Sequence, residues 1–141
     1  MKISLRALIA AAVMALVCVG AAQARRQGEK VGVTIDSALY DFGTIYDDDP
    51  NVHHTFTISN TGNDAVAILS ASASCGCTKP KYQKKPLRAG ESTAIDVTFI
   101  PSGQSGEINK DVKVRLKSAS GKSETVNLRL KGVVLPKKAR K

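Results

Sequence analysis

Apolar and polar residues alternate along much of this chain with a period of two, the spacing of half-buried β-strands rather than of helices. Phe56 and Ile58 share one face, with Thr55, Thr57 and Ser59 on the other. Ile95, Val97 and Phe99, separated by Asp96 and Thr98, form the sharpest strand pattern in the chain. Val112, Val114 and Leu116 alternate with Lys113, Arg115 and Lys117, and after a loop around Gly121, Val126, Leu128 and Leu130 alternate with Asn127, Arg129 and Lys131. Two such runs joined by a short loop predict a hairpin. Shorter runs over residues 31–35 and 39–45 add to the set, and nothing in the chain repeats with helical spacing. The pattern predicts an all-β fold, a sandwich of about seven short strands with turns roughly every 8–12 residues.

One segment departs from this regularity. In residues 65–77, Val66 and Ile68 have one parity, whereas Leu69, Ala71, Ala73, Cys75 and Cys77 have the other. A regular strand cannot turn both sets toward one core, so a β-bulge or break is expected near Leu69-Ser70, with Ser70, Ser72 and Ser74 on the wetter side. Residues 79–86 hold two prolines and four lysines, a composition for an exposed connection or a sheet edge rather than an interior strand. Asp47, Asp48 and Asp49 are consecutive, without the alternate spacing and closing glutamate of calcium loops, so a solvated turn is expected. His53 and His54 are adjacent on a strand, point to opposite faces, and cannot chelate one ion together.

The N-terminus reads as a targeting segment. Lys2 and Arg6 flank the start of an apolar stretch over residues 7–19, and Ala22-Gln23-Ala24 supplies a small-x-small cleavage pattern. That stretch is shorter than the ~20 residues that span a bilayer, so no transmembrane anchor is expected after cleavage. Val17 stands where a lipidated Cys18 would need a small neighbour, which weighs against lipoprotein anchoring. The expected layout is a signal peptide over 1–24, a mobile leader over 25–30, a folded domain over 31–135 and a basic tail over 136–141, in the periplasm or secreted. Removing 24 of the 141 residues leaves 117, enough for one domain that folds without staples.

Cleavage changes the chemistry as well. It takes Cys18 and leaves two of the three cysteines, Cys75 and Cys77, as a close pair in an oxidising compartment. Loss of Lys2 and Arg6 lowers the formal charge from +9 to +7. A basic chain attracts anionic partners over distances that salt shortens. With only 4% aromatic residues and no recognition motif, nucleic acid is not the expected partner.

Five stretches taken in order, Tyr40-Asp41-Phe42-Gly43-Thr44-Ile45, Phe56-Thr57-Ile58-Ser59-Asn60-Thr61-Gly62, Ser74-Cys75-Gly76-Cys77-Thr78, Ala89-Gly90-Glu91-Ser92 and Val97-Thr98-Phe99-Ile100-Pro101, resemble the bacterial domain-of-unknown-function family 1573. More distantly they are similar to the immunoglobulin-type domains of Hydin-like and major-sperm-protein-like proteins. The resemblance runs from about Leu39 to Val133. It implies an immunoglobulin-like β-sandwich exported by Gram-negative bacteria, often Bacteroidota, with no assigned activity; the Hydin-like relatives imply binding or scaffolding. Ala89 departs from the family's usual proline, which leaves that turn less rigid.

Chemistry concentrates at Cys75-Gly76-Cys77, where three readings stand open. The pair forms a disulfide, which in an extended strand would lie near the ~7 Å limit between Cα atoms and would need a kink that Gly76 permits. Alternatively the thiolates bind a soft ion such as copper(I) or zinc, for which two ligands leave the shell unfilled. Or the pair is structural, with Lys79 and Lys81 nearby as solvated charges. No catalytic constellation, metal set or phosphate-cradling loop is present in the pattern, and no cofactor is expected. The leading expectation is a non-enzymatic binding or structural module of the cell envelope, whose partner is an unknown protein or an anionic envelope component. Its candidate surface is the basic hairpin face of Lys113, Arg115, Arg129 and Lys131, and its rival is a thiol-redox or soft-metal protein using Cys75 and Cys77.

Overall fold

Among the described residues the alternating rows fold into eight strands. A computed structural model describes residues 30–137, with β1 at Val33–Ile35, β2 at Leu39–Tyr46, β3 at Val52–Asn60, β4 at Val66–Ala73, β5 at Thr78–Tyr82, β6 at Ser92–Phe99, β7 at Gly106–Ser118 and β8 at Ser123–Leu135. One sheet has the order β1-β3-β6-β5 and the other β2-β8-β7-β4. The signal peptide with Cys18, the leader up to residue 29 and the tail from residue 138 lie outside the described residues.

The core is made by the residues whose alternation announces the strands. Phe56, Ile58, Ile95, Val97 and Phe99 of the first sheet meet Val112, Val114, Leu116, Leu128 and Leu130 of the second, each no more than 1% exposed. Phe99 and Phe42 stack across the gap with ring centroids 5.2 Å apart. Burying a side chain of this size contributes about 1.5–3 kcal/mol, so these rows hold the two sheets face to face.

β7 and β8 form the expected antiparallel hairpin, with Lys113 opposite Asn127 and Arg115 opposite Thr125. The irregularity in β4 is also where the parity conflict places it. The register against β7 steps between Ile68 and Ser70, so Ile68 remains inside while Ala71 and Ala73 also pack on the core. Leu69 is left facing outward, 50% exposed.

Two features go beyond the sequence pattern. Among the described residues there are eight strands rather than about seven because β5 forms along the lysine-and-proline stretch. The Ile100 N–H donates to the Cys77 carbonyl at 2.8 Å; alternation along the antiparallel ladder then turns Lys79 and Lys81 backbone groups toward β6 and those of Pro80 toward the open edge. Proline therefore removes no ladder bond. Secondly, the chain changes sheets between β1 and β2. Asp36 N–H still donates to Thr57 of β3, whereas the Ala38 carbonyl accepts from Arg129 of β8, and β2 runs parallel to β8. Phe42 then lies over Gly132, where a Cβ atom would collide with its ring.

Candidate functional site

β4 ends one sheet and β5 ends the other, so residues 74–77 carry the chain across the open edge of the sandwich. Ser74 N–H is tied to the Asp111 carbonyl of β7 at 3.1 Å, and the Cys77 carbonyl is tied to Ile100. Between these tethers the sulfurs of Cys75 and Cys77 are bonded, with Cα atoms 5.3 Å apart, inside the usual range for a disulfide. The cysteines are thus in a turn and not on an extended strand. The turn is closed by the Thr78 N–H donating to the Cys75 carbonyl at 3.3 Å.

Gly76 is not what makes this possible, contrary to the sequence-based expectation. Its φ is not positive, and a Cβ atom there would meet nothing within 4 Å. The crossover itself shortens the Cα separation. Both cysteines are half-buried, and Cys77 packs against the core. The hydroxyl of Thr78, a residue only 3% exposed, lies 3.8 Å from each sulfur. Lys79 and Lys81 are exposed, in register with Thr98 and Asp96 on the outer face of the first sheet.

Of the two histidines, His53 faces outward and its Nδ1 lies 3.0 Å from the Thr98 hydroxyl. His54 faces inward, stacked on Tyr40 at 3.8 Å and meeting Phe56 edge-on at 4.6 Å. Desolvation by this packing lowers its pKa from the usual 6.5. Among the described residues no group of three or more His, Cys, Asp or Glu side chains is placed to hold a metal ion. Asp49 accepts from the Tyr46 N–H within its own turn, and Asp47 accepts from the Lys137 N–H.

The second sheet carries rows of cations on its outer face. Lys113, Arg115 and Lys117 form one exposed row on β7, and Arg129 and Lys131 stand on the neighbouring β8. The four expected residues do share a surface, but they are not equivalent. Arg129 Nε donates to Asp111 Oδ1 at 2.7 Å, and Lys131 Nζ is 3.5 Å from Asp41 Oδ2. The hydrogen bond to Asp111, and then its charge, raises the Arg129 pKa above its ordinary value. Lys113 and Arg115 instead have the uncharged partners Ser72 and Ser70 on β4 and Asn127 and Thr125 on β8.

The family model described as "Protein of unknown function (DUF1573)" matches residues 33–134. The chain belongs to the DUF1573 family. No curated protein matches it. Among solved structures, the Vibrio cholerae VesB protease is similar, with a TM-score of 0.60 and 18% identity over 72% of this chain; only 32% of the protease chain is covered. The seventh PapD-like domain of human CEP192 is similar with a TM-score of 0.63 and 14% identity, over 75% of this chain and 87% of that one. WR4, a C. elegans MSP family member, is similar with a TM-score of 0.53 and 10% identity, over 75% of this chain and 100% of that one. At these identities the likeness is one of fold alone, an immunoglobulin-like sandwich.

Within the DUF1573 sandwich, sequence reasoning found the cysteine pair and the cation rows but missed four residues around them. Asp41 and Asp111 quench two of the cations, Thr78 sits under the disulfide, and Tyr40 covers His54. The parity of Asp111 with Lys113 was legible, since both are outward positions of one strand; the approach of Asp41 was not, because it depends on β2 joining β8 in parallel.

Proposed function

We propose that this DUF1573 domain is a non-enzymatic binding module, exported across the inner membrane of a Gram-negative cell, that holds an anionic partner against the outer face of the β2-β8-β7-β4 sheet. One observation carries the reading. Lys113, Arg115 and Lys117 stand exposed at alternate positions of one strand, with uncharged cross-strand partners on both sides. Such a row attracts anions and raises their local concentration. The test is binding of the protein to dextran sulfate across a salt series. Lys113→Glu with Arg115→Glu weakens binding and flattens its salt dependence; unchanged binding would reduce the face to a solvated surface. Export is checked separately, by intact mass of the protein recovered from the periplasm of a Gram-negative host, where loss of residues 1–24 is expected.

The disulfide supports this module rather than performing chemistry of its own. It lies where the chain passes between sheets, and its sulfurs, bonded to each other, offer no thiolate to a soft ion. Alkylation before and after mild reductant, followed by mass measurement, tests this: ready opening by glutathione would move the function to Cys75 and Cys77.

A further inference from the structure

Among the described residues, the exposed large hydrophobic side chains are Leu39, 46% exposed, and Leu69, 50% exposed. Both belong to the basic face. Leu39 is the partner of Arg129 across β2 and β8, so it shares the outward side of that arginine. Leu69 is held outward by the irregularity in β4, beside Ser70 and its partner Arg115. Together with Ala65, Ala67, Pro86, Ala119 and the stem of Lys117 it lines a shallow cleft of about 260 Å³. The two leucines thus occupy the two edge strands of the sheet, and the cation rows run between them.

This order is the reverse of a protein-protein interface, in which a contiguous apolar centre is ringed by polar groups. It matches the demands of a charged bilayer surface. There the cations meet lipid phosphates in one plane, and separated apolar side chains at the margins reach past the headgroups to the acyl boundary. A soluble polyanion would satisfy the lysines and arginines but would give the leucines nothing. Resting on the anionic-partner reading above, we infer that the outer face of the β2-β8-β7-β4 sheet docks on an anionic lipid bilayer surface, with Leu39 and Leu69 as its apolar contacts and Lys113, Arg115 and Lys117 as its phosphate contacts.

The experiment measures co-sedimentation with vesicles containing phosphatidylglycerol and with vesicles of phosphatidylcholine alone, beside dextran sulfate. Every preparation is first checked by intact mass, so that all carry the same N-terminus. Leu39→Ser and Leu69→Ser are made separately, with thermal melts to show that each still folds. The expected result is salt-sensitive binding to the phosphatidylglycerol vesicles, weakened about fivefold by each leucine change, as loss of roughly half a leucine's transfer energy implies. Dextran sulfate binding stays unchanged in both. Leucine variants that bind vesicles like the wild type, or a wild type that binds dextran sulfate but not vesicles, would overturn the lipid inference and leave the anionic reading standing. Equal binding to phosphatidylcholine alone would also overturn it. If Lys113→Glu with Arg115→Glu changes neither vesicle nor polymer binding, both readings fall together.

Discussion

The two outer faces of this sandwich rest on one core but finish their polar groups differently. On the first sheet the groups pair with one another: Thr55 donates to Asp96 at 2.7 Å, His53 meets Thr98 at 3.0 Å and Ser59 meets Ser92 at 2.7 Å. Cross-strand contacts of this kind contribute roughly 0.2–1 kcal/mol each. On the second sheet five cations share their face with Asp41 and Asp111, and the β7 row of Lys113, Arg115 and Lys117 faces solvent. Identical inward alternation therefore supports one face whose neutral polar groups pair with one another, with Lys79 and Lys81 exposed along its β5 edge, and one whose cation rows run through the middle of the sheet.

The largest effect removes the contrast altogether. Phe99→Ala, at a fully buried ring that stacks on Phe42 of the opposite sheet, should cost about 3–5 kcal/mol in denaturant melts. Both faces would be lost together; a cost below ~1 kcal/mol would mean that this ring does not join the sheets. Next, exchanging the roles of the faces separates binding from stability. Lys113→Glu with Arg115→Glu should weaken binding to phosphatidylglycerol vesicles at least about 30-fold, at roughly 1 kcal/mol for each cation lost and more for the repulsion added, with little change in melting temperature. Thr55→Ala on the other face should do the opposite, costing up to ~1 kcal/mol of stability and leaving binding intact.

A comparable effect is expected at the edge that links the faces. Converting Cys75 and Cys77 to serine should cost on the order of 1–2 kcal/mol, because so short a closed loop removes little unfolded-state entropy. Gly76→Ala between them should fall within ~0.5 kcal/mol, since its conformation and surroundings accept a side chain. The smallest effect is a pH slope from His54. Burial lowers its folded pKa from 6.5, so the unfolded chain takes up a proton first as pH falls. Stability is flat above 6.5, declines as pH drops below that value, and levels off below the lowered folded pKa. His54→Gln should remove that component from melting temperature measured against pH, and an unchanged slope would assign it to other groups.

The wild-type contrast was half legible beforehand. The cation rows follow from alternation at Lys113, Arg115, Arg129 and Lys131, because on a strand the side to which a residue points is a matter of odd and even. Their inequality was not legible, because Asp41 reaches Lys131 from a strand some ninety positions earlier. Leu69 shows the same division. Its parity conflict with Ile68 demanded a bulge, yet its exposure on the basic face depended on which side of the step it fell.

What the sequence by itself determined is whatever rests on local parity and local stiffness: the strand runs, the hairpin of β7 and β8, the bulge of β4, and the exclusion of Pro80 from an interior strand. These are properties of neighbouring residues and need no partner to be decided. Tertiary structure alone decided the parallel docking of β2 on β8, the pairing of β5 with β6 where the sequence left a connection or a sheet edge open, the stacking of Tyr40 on His54 and the 5.3 Å approach of Cys75 to Cys77. Each depends on segments brought together by burial of a shared core, or on the way the chain crosses between sheets, and no periodicity along the chain records which distant strand will lie alongside.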